Sequence, residues 1–138
     1  MADRVELKWL EGMSFEGQVN GHKLVIDADE KVGGKNSGPR PKALMLLALA
    51  GCTAMDVVSI LGKMKVEYEA FTVDVVSNKT DEHPVVYTDF KIVYRVKGNA
   101  VDLDKVKRAV ELSQEKYCGV SAMYKHIGPV TYEIEVVK

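Results

Sequence analysis

Two features of the sequence predict an α+β fold with antiparallel sheet. Apolar residues alternate with period two near the N-terminus, in the middle and at the C-terminus. Between the first two regions runs Pro41 to Lys65, PKALMLLALAGCTAMDVVSILGKMK, apolar nearly all round until Asp56 and far too long for a strand. The predicted order is βββ-α-ββ-αα-β.

Val5, Leu7 and Trp9 alternate with charged residues, as in a half-buried strand. Glu11-Gly12 turns the chain into a second strand carrying Met13, Phe15, Gly17 and Val19. Asn20-Gly21 predicts a type I′ hairpin turn, which needs positive φ at both positions, and Leu24 and Ile26 mark the returning strand. Residues 28 to 40, ADEKVGGKNSGPR, read as a mobile loop. Gly34-Lys35 is not a phosphate loop, because Asp29 and Asn36 stand where that pattern needs Gly and Ser or Thr.

Pro41 suits the first turn of the long helix. The segment Ala48 to Ala54, built almost wholly of small side chains, lets another backbone approach and leaves a slot beside Cys52. The helix is expected to be buried on most faces, the central helix of a soluble core, too short of apolar continuity to span a bilayer. Phe71, Val73 and Val75 form the next strand; Phe90, Ile92, Tyr94 and Val96 the one after. Asp102 is a plausible N-cap for an amphipathic helix with Leu103, Val106, Val110, Ser113 and Tyr117 on one face. Gly119 breaks it after Cys118, a short helix runs through Met123 and Tyr124, and Gly128-Pro129 precedes the last strand, Val130 to Val136.

At 138 residues, a single domain spanning residues 1–138 is expected. A composition of 46% hydrophobic and 28% charged residues, with net charge −1, argues against nucleic acid or an anionic membrane as the main partner. MADRVELKW holds no apolar run of signal-peptide length, so a cytoplasmic location is expected. There, two cysteines are more often reduced, catalytic or redox-active than a structural bridge.

Cys52 and Cys118 are the groups that rise above background, and they admit two readings. One is a redox pair, with one thiol oxidised to a sulfenic acid and the other resolving it as a disulfide. The other is two buried structural thiols. Small neighbours give access to the Cys52 sulfur, and a helix junction at Cys118 offers backbone N–H groups that favour a thiolate. Along its helix Cys52 has Ala48, Leu49, Met55 and Asp56 as neighbours, none of them basic, and Asp56 on the same face would oppose ionisation. An activating cation must arrive by tertiary contact, with Arg40 the obvious candidate against its reading as an exposed loop cation. His22, His83 and His126 show no metal-ligand spacing, no HxxxH or CxxC occurs, and no serine-hydrolase motif is present. No metal or other cofactor is expected.

The stretches GPRPKALMLLALAGCTAMDVVSILGKMK and AVELSQEKYCGVSAM, each holding one cysteine, together with the order of elements, resemble the OsmC/Ohr family of thiol-dependent hydroperoxide reductases over almost the whole chain. The resemblance implies an intertwined homodimer, with antiparallel sheets wrapped around a pair of long central helices and active sites at the dimer interface. It implies Cys52 as the peroxidatic and Cys118 as the resolving thiol, organic hydroperoxides as substrates in oxidative-stress defence, and a dithiol reductant such as a lipoyl group. The chain also departs from the family. Lys42 and Ala43 stand where members carry a glutamate early in the cysteine helix, and EGMSFEGQV, residues 11 to 19, lacks the family's arginine. Arg40 is the first candidate to substitute, ahead of Arg4 and Lys42. The departures keep a second reading open: an OsmC-like dimer that binds a small ligand or senses redox state without efficient peroxidase chemistry.

Overall fold

The computed structural model describes residues 1–138, whose contacts fall into two compact units, Met1–Met45 and Leu46–Lys138. In the first unit, β1 (Glu6–Glu11), β2 (Ser14–Val19) and β3 (His22–Ile26) form an antiparallel meander in the order β1-β2-β3. The predicted hairpin holds, with Asn20 at φ 52° and Gly21 at φ 80°. Pairing of Leu7 with Gly17, Trp9 with Phe15, Phe15 with Ile26 and Gly17 with Leu24 places Leu7, Trp9, Phe15, Leu24 and Ile26 on one face. That face was expected to be half-buried; Leu7 and Trp9 are exposed, Trp9 at 62%. A three-stranded sheet of this size has no second layer of its own to cover it.

The glycine-rich run after β3, read from sequence as a mobile loop, is tied together by Asp27. Its carboxylate accepts from the amides of Ala28 (2.7 Å), Lys35 (3.1 Å) and Ser37 (3.1 Å) and from Ser37 Oγ (2.7 Å). These bonds, led by those from Ser37, hold the Asp27 carboxyl down at about 2. The loop passes so near the strand that a Cβ at Gly34 would lie 1.9 Å from Ala28 O, and one at Gly38 2.2 Å from Val25 O. Packing, rather than freedom, requires glycine at both places.

In the second unit, β4 (Ala70–Val76), β5 (Phe90–Lys97) and β6 (Val130–Val137) form a sheet in the order β4-β5-β6. β4 and β5 are antiparallel, but β5 and β6 are parallel, with Phe90 opposite Val130 and Lys97 opposite Val137. The expectation of wholly antiparallel sheets is corrected here. The connection from β5 to β6 carries α2 (Leu103–Leu112) and α3 (Gly119–Tyr124), a crossover long enough to return the chain to the end of the sheet where β5 began. The α+β class and the predicted order of strands and helices stand.

Central strand β5 buries Phe90, Ile92, Tyr94 and Val96, and α2 buries Val106, Ala109 and Val110. Asp102 caps α2 as expected, accepting from Lys105 N at 3.3 Å. Between α2 and α3 the chain makes a π turn, Ser113–Tyr117, closed by Cys118 N donating to Ser113 O at 2.7 Å. The wider turn points both Ser113 and Gln114 inward and leaves Tyr117 exposed, so Tyr117 does not share the buried face predicted for it.

Helix α1 (Ala43–Lys63) buries one stripe, Leu49, Thr53, Val57 and Leu61, at four-residue spacing. Leu47, Met55 and Val58 are exposed, Met55 at 76%, so in the single chain the helix is not buried on most faces. Length and composition alone would let α1 cross a membrane, since its 21 residues include an 18-residue window of mean hydropathy 2.1. Its apolar continuity therefore does not exclude a span. What marks it as a core helix is the buried stripe with its hydroxyl, Thr53, committed to partners on the sheet and on the π turn.

Candidate functional site

The second unit brings Cys52 and Cys118 together from opposite ends of its sequence. Cys52 lies mid-way along α1, half-buried, with Asp56 one turn further on the same face. Cys118 ends the π turn and is the N-cap of α3, 3% exposed, its Sγ accepting from Ser121 N at 3.3 Å. The two sulfurs and a carboxylate oxygen of Asp56 all lie within 4.8 Å of one another.

Burial pushes the Cys118 thiol up to about 11, the amide of Ser121 acts in the opposite sense, and Cys52 and Asp56 push it up further. The junction was expected to favour a thiolate at Cys118. A single backbone donor is present, but desolvation outweighs it.

Beside the sulfurs lies a buried polar network whose direction follows from its donors. A carboxylate only accepts, so Ser113 Oγ must spend its one proton on Asp56 Oδ2, 2.8 Å away. Thr53 Oγ1 then donates to Ser113 Oγ at 2.7 Å, and Tyr94 Oη donates to Thr53 Oγ1 at 2.6 Å. Gln114 Nε2 donates to both Thr53 Oγ1 (3.1 Å) and Tyr94 Oη (3.0 Å), while its Oε1 accepts from Ser121 Oγ at 2.7 Å. The chain Tyr94 → Thr53 → Ser113 → Asp56 therefore runs from the sheet to the carboxylate. Burial raises the Tyr94 phenol to about 12, which keeps it a donor. No buried side-chain nitrogen or oxygen lacks a partner.

Arg40, the cation expected at Cys52, is engaged within its own loop. Its Nη1 donates to Gly38 O at 2.8 Å, and its Nη2 pairs with Asp29 Oδ2 at 3.4 Å. Of the residues that shape the site, sequence reasoning weighed Asp56 only as an obstacle and did not single out Thr53, Tyr94, Gln114 or Ser121. Ser113 was assigned to a buried helix face, which holds, but not to the sulfurs. The signal for Asp56 was its four-residue spacing from Cys52; nothing local tied the others to the site.

The OsmC-like protein family model matches residues 34–133, which include both cysteines and the whole buried network. The chain belongs to the OsmC family. Protein YhfA of Escherichia coli is 36% identical over 135 residues, covering 97% of this chain and 98% of YhfA. A hypothetical protein from Aquifex aeolicus VF5 has a similar structure, with a TM-score of 0.81 at 26% identity over 100% of this chain and 99% of that one. The organic hydroperoxide resistance protein OhrB of Bacillus subtilis shares the fold at 13% identity, with a TM-score of 0.66 over 98% of both chains. The α+β architecture predicted from sequence is the OsmC-like one.

Proposed function

We propose that this single OsmC-like domain is a cytoplasmic homodimer that reduces organic hydroperoxides through a Cys52/Cys118 thiol–disulfide cycle, as part of oxidative-stress defence. The observation that carries the reading is the meeting of the chain's two cysteines, whose sulfurs lie within 4.8 Å of each other on different helices. Accessibility supports the division of roles: Cys52 is half-buried and would meet the peroxide, and Cys118 is buried behind it. The Cys52 thiolate attacks one peroxide oxygen and the O–O bond breaks. The alkoxide takes up a proton and leaves as an alcohol, and Cys52 is left as a sulfenic acid. The Cys118 thiolate attacks that sulfur and displaces hydroxide, forming the disulfide, and an external dithiol of lipoyl type restores both thiols by exchange. Arg40 is the proposed activating cation, on the strength of its place in the loop leading into α1. Homodimerisation is supported by the apolar surface that the chain leaves open on β1 and α1.

The test is thiol titration of reduced protein after one equivalent of an alkyl hydroperoxide, with hydrogen peroxide in parallel. Loss of two thiols per chain, faster with the alkyl peroxide, is expected. Cys52→Ser is expected to abolish turnover and Cys118→Ser to stop after about one. Multiple turnover in Cys52→Ser would refute the assignment. A second reading, an OsmC-like dimer that senses redox state or binds a small ligand without efficient turnover, is favoured by Asp56, whose carboxylate opposes ionisation of the neighbouring Cys118 thiol. Thiols left intact by both peroxides would select it.

A further inference from the structure

We propose that Cys52, Cys118 and Asp56 form a three-ligand site for a thiophilic divalent cation of the zinc class, and that metal and disulfide exclude one another at this pair. The donor set is two sulfurs and one carboxylate oxygen, all within 4.8 Å of one another. Zinc bonds sulfur at about 2.3 Å and carboxylate oxygen at about 2.0–2.2 Å, so ligand atoms on a tetrahedral ion stand roughly 3.5–3.8 Å apart. Closing the cluster onto an ion therefore takes a contraction of at most about 1.3 Å between ligand atoms. Two thiolates favour zinc-like ions over magnesium or calcium, which take oxygen donors. Three protein ligands leave the fourth position for water or another small donor.

The surroundings are those of an oriented ligand set. Ser113 Oγ donates to Asp56 Oδ2 at 2.8 Å and fixes the carboxylate, and Ser113 is itself fixed by Thr53, which Tyr94 holds in turn. Ser121 N, 3.3 Å from Cys118 Sγ, steadies one sulfur. Cys52 and Asp56 are one turn apart on α1, so a single helix face presents two of the three ligands, and the cap of α3 supplies the third. Beside a thiolate, a fixed carboxylate adds repulsion; beside a divalent cation it adds a bond. Binding forms two metal–sulfur bonds and one metal–oxygen bond, and each cysteine releases one proton to solvent. No electron is transferred. In the disulfide the same sulfurs are bonded to each other and carry no negative charge to donate, so oxidation by a peroxide expels the ion and reduction by a dithiol restores the site.

The experiment uses the full chain, reduced, with cobalt(II) as a visible probe and zinc titrated in competition with a chromophoric chelator. One ion per chain is expected, with sulfur-to-cobalt charge-transfer absorption and tetrahedral d–d bands. Cys52→Ser and Cys118→Ser should each weaken zinc by 100-fold or more, and Asp56→Asn by at least 10-fold. Circular dichroism would report whether each variant folds. A measurement needing no variant is the disulfide form of the wild-type chain, which should bind none and recover one equivalent on reduction. In reduced wild-type protein, zinc should slow alkylation of both thiols together. Absence of the charge-transfer band, equal affinity in Asp56→Asn, or undiminished binding by the disulfide form would each overturn the site. None of these results depends on peroxidase turnover, so the site and the peroxidase reading stand or fall separately.

Discussion

Asp56→Asn separates the two forces acting on the cysteine pair. Burial, then Cys52 and last the Asp56 carboxylate, within 4.8 Å of the sulfur, raise the Cys118 pKa. At that distance two unit charges interact by about 3.5 kcal/mol at an effective dielectric near 20, and by about 0.9 kcal/mol in bulk water. Asp56 is half-buried, so the interaction falls between these limits. Asp56 is the smallest of the causes that raise the thiol, so the lower limit applies, and neutralisation is expected to lower the Cys118 pKa by about 0.6 pH unit. Asparagine still accepts from Ser113 Oγ, so the network stays closed. The assay is ultraviolet titration of thiolate absorbance in a Cys52→Ser background, where Cys118 is the one thiol left. Comparison of that variant with the double variant isolates the carboxylate. Because burial is the largest cause of the raised value, the thiol should remain above its ordinary range even after the substitution. At neutral pH the thiolate population should rise about fourfold, and reaction with a small thiol reagent about twofold, since nucleophilicity falls as the thiol becomes more acidic. A pKa that stays put or moves upward would refute the geometry assigned to Asp56.

Other expectations concern the network, the helix and the loop. Tyr94→Phe removes the donor at the head of the chain and deprives Gln114 of an acceptor, so it should cost about 1–3 kcal/mol, read as a lower denaturant midpoint at unchanged slope. Beyond its two neighbours and the backbone of its own helix turns, nothing in the chain lies within 4 Å of a Cβ placed on Gly51, so Gly51→Ala should stabilise α1 by up to about 1 kcal/mol. Destabilisation with loss of self-association in sedimentation would instead place a second chain's backbone on that face. Asp27, held at about 2, lends the loop stability that is fully present above the ordinary carboxylate value near 3.8 and is lost as pH falls through about 2. Amide exchange at Lys35 and Ser37 should therefore lose protection across that window, and Asp27→Asn should remove the dependence.

The strands, the long helix and the break after Cys118 were legible because each rests on local periodicity or a local breaker. Three features were not, for reasons that differ. The parallel pairing of β6 was hidden because alternation assigns faces, not direction; the sign of it is the long, helix-bearing connection from β5, which a parallel neighbour requires. The exposed faces of β1 and α1 carry patterns of buried elements, because periodicity records which residues share a face and not whether the single chain covers it. The π turn shifts Ser113 and Gln114 together into the interior, which a strict helical period does not allow, and with it the residues that link Tyr94 to Asp56.

That link bears on what the cysteine pair is for. The family resemblance leads one to look for a cation beside Cys52, and the missing glutamate and arginine read as lost machinery. What the chain has instead is built: a carboxylate one turn from Cys52, held by a serine whose proton is committed to it, with two further hydroxyls aligned behind. These aligned hydrogen bonds end on the carboxylate and hold it in place beside the sulfurs. A site shaped only for a reactive thiolate gains nothing from that arrangement, because like charges oppose each other at this range. It becomes favourable when something positive occupies the space between the three groups: a metal ion, or a protonated donor handing its proton to a departing alkoxide. Asp56 is therefore the residue on which the two chemistries divide. If Asp56→Asn speeds peroxide reduction, the carboxylate gives the cycle only repulsion, and the zinc affinity of the variant decides whether it serves a cation. If it slows reduction while making Cys118 more acidic, Asp56 acts in the peroxidase cycle as a proton carrier.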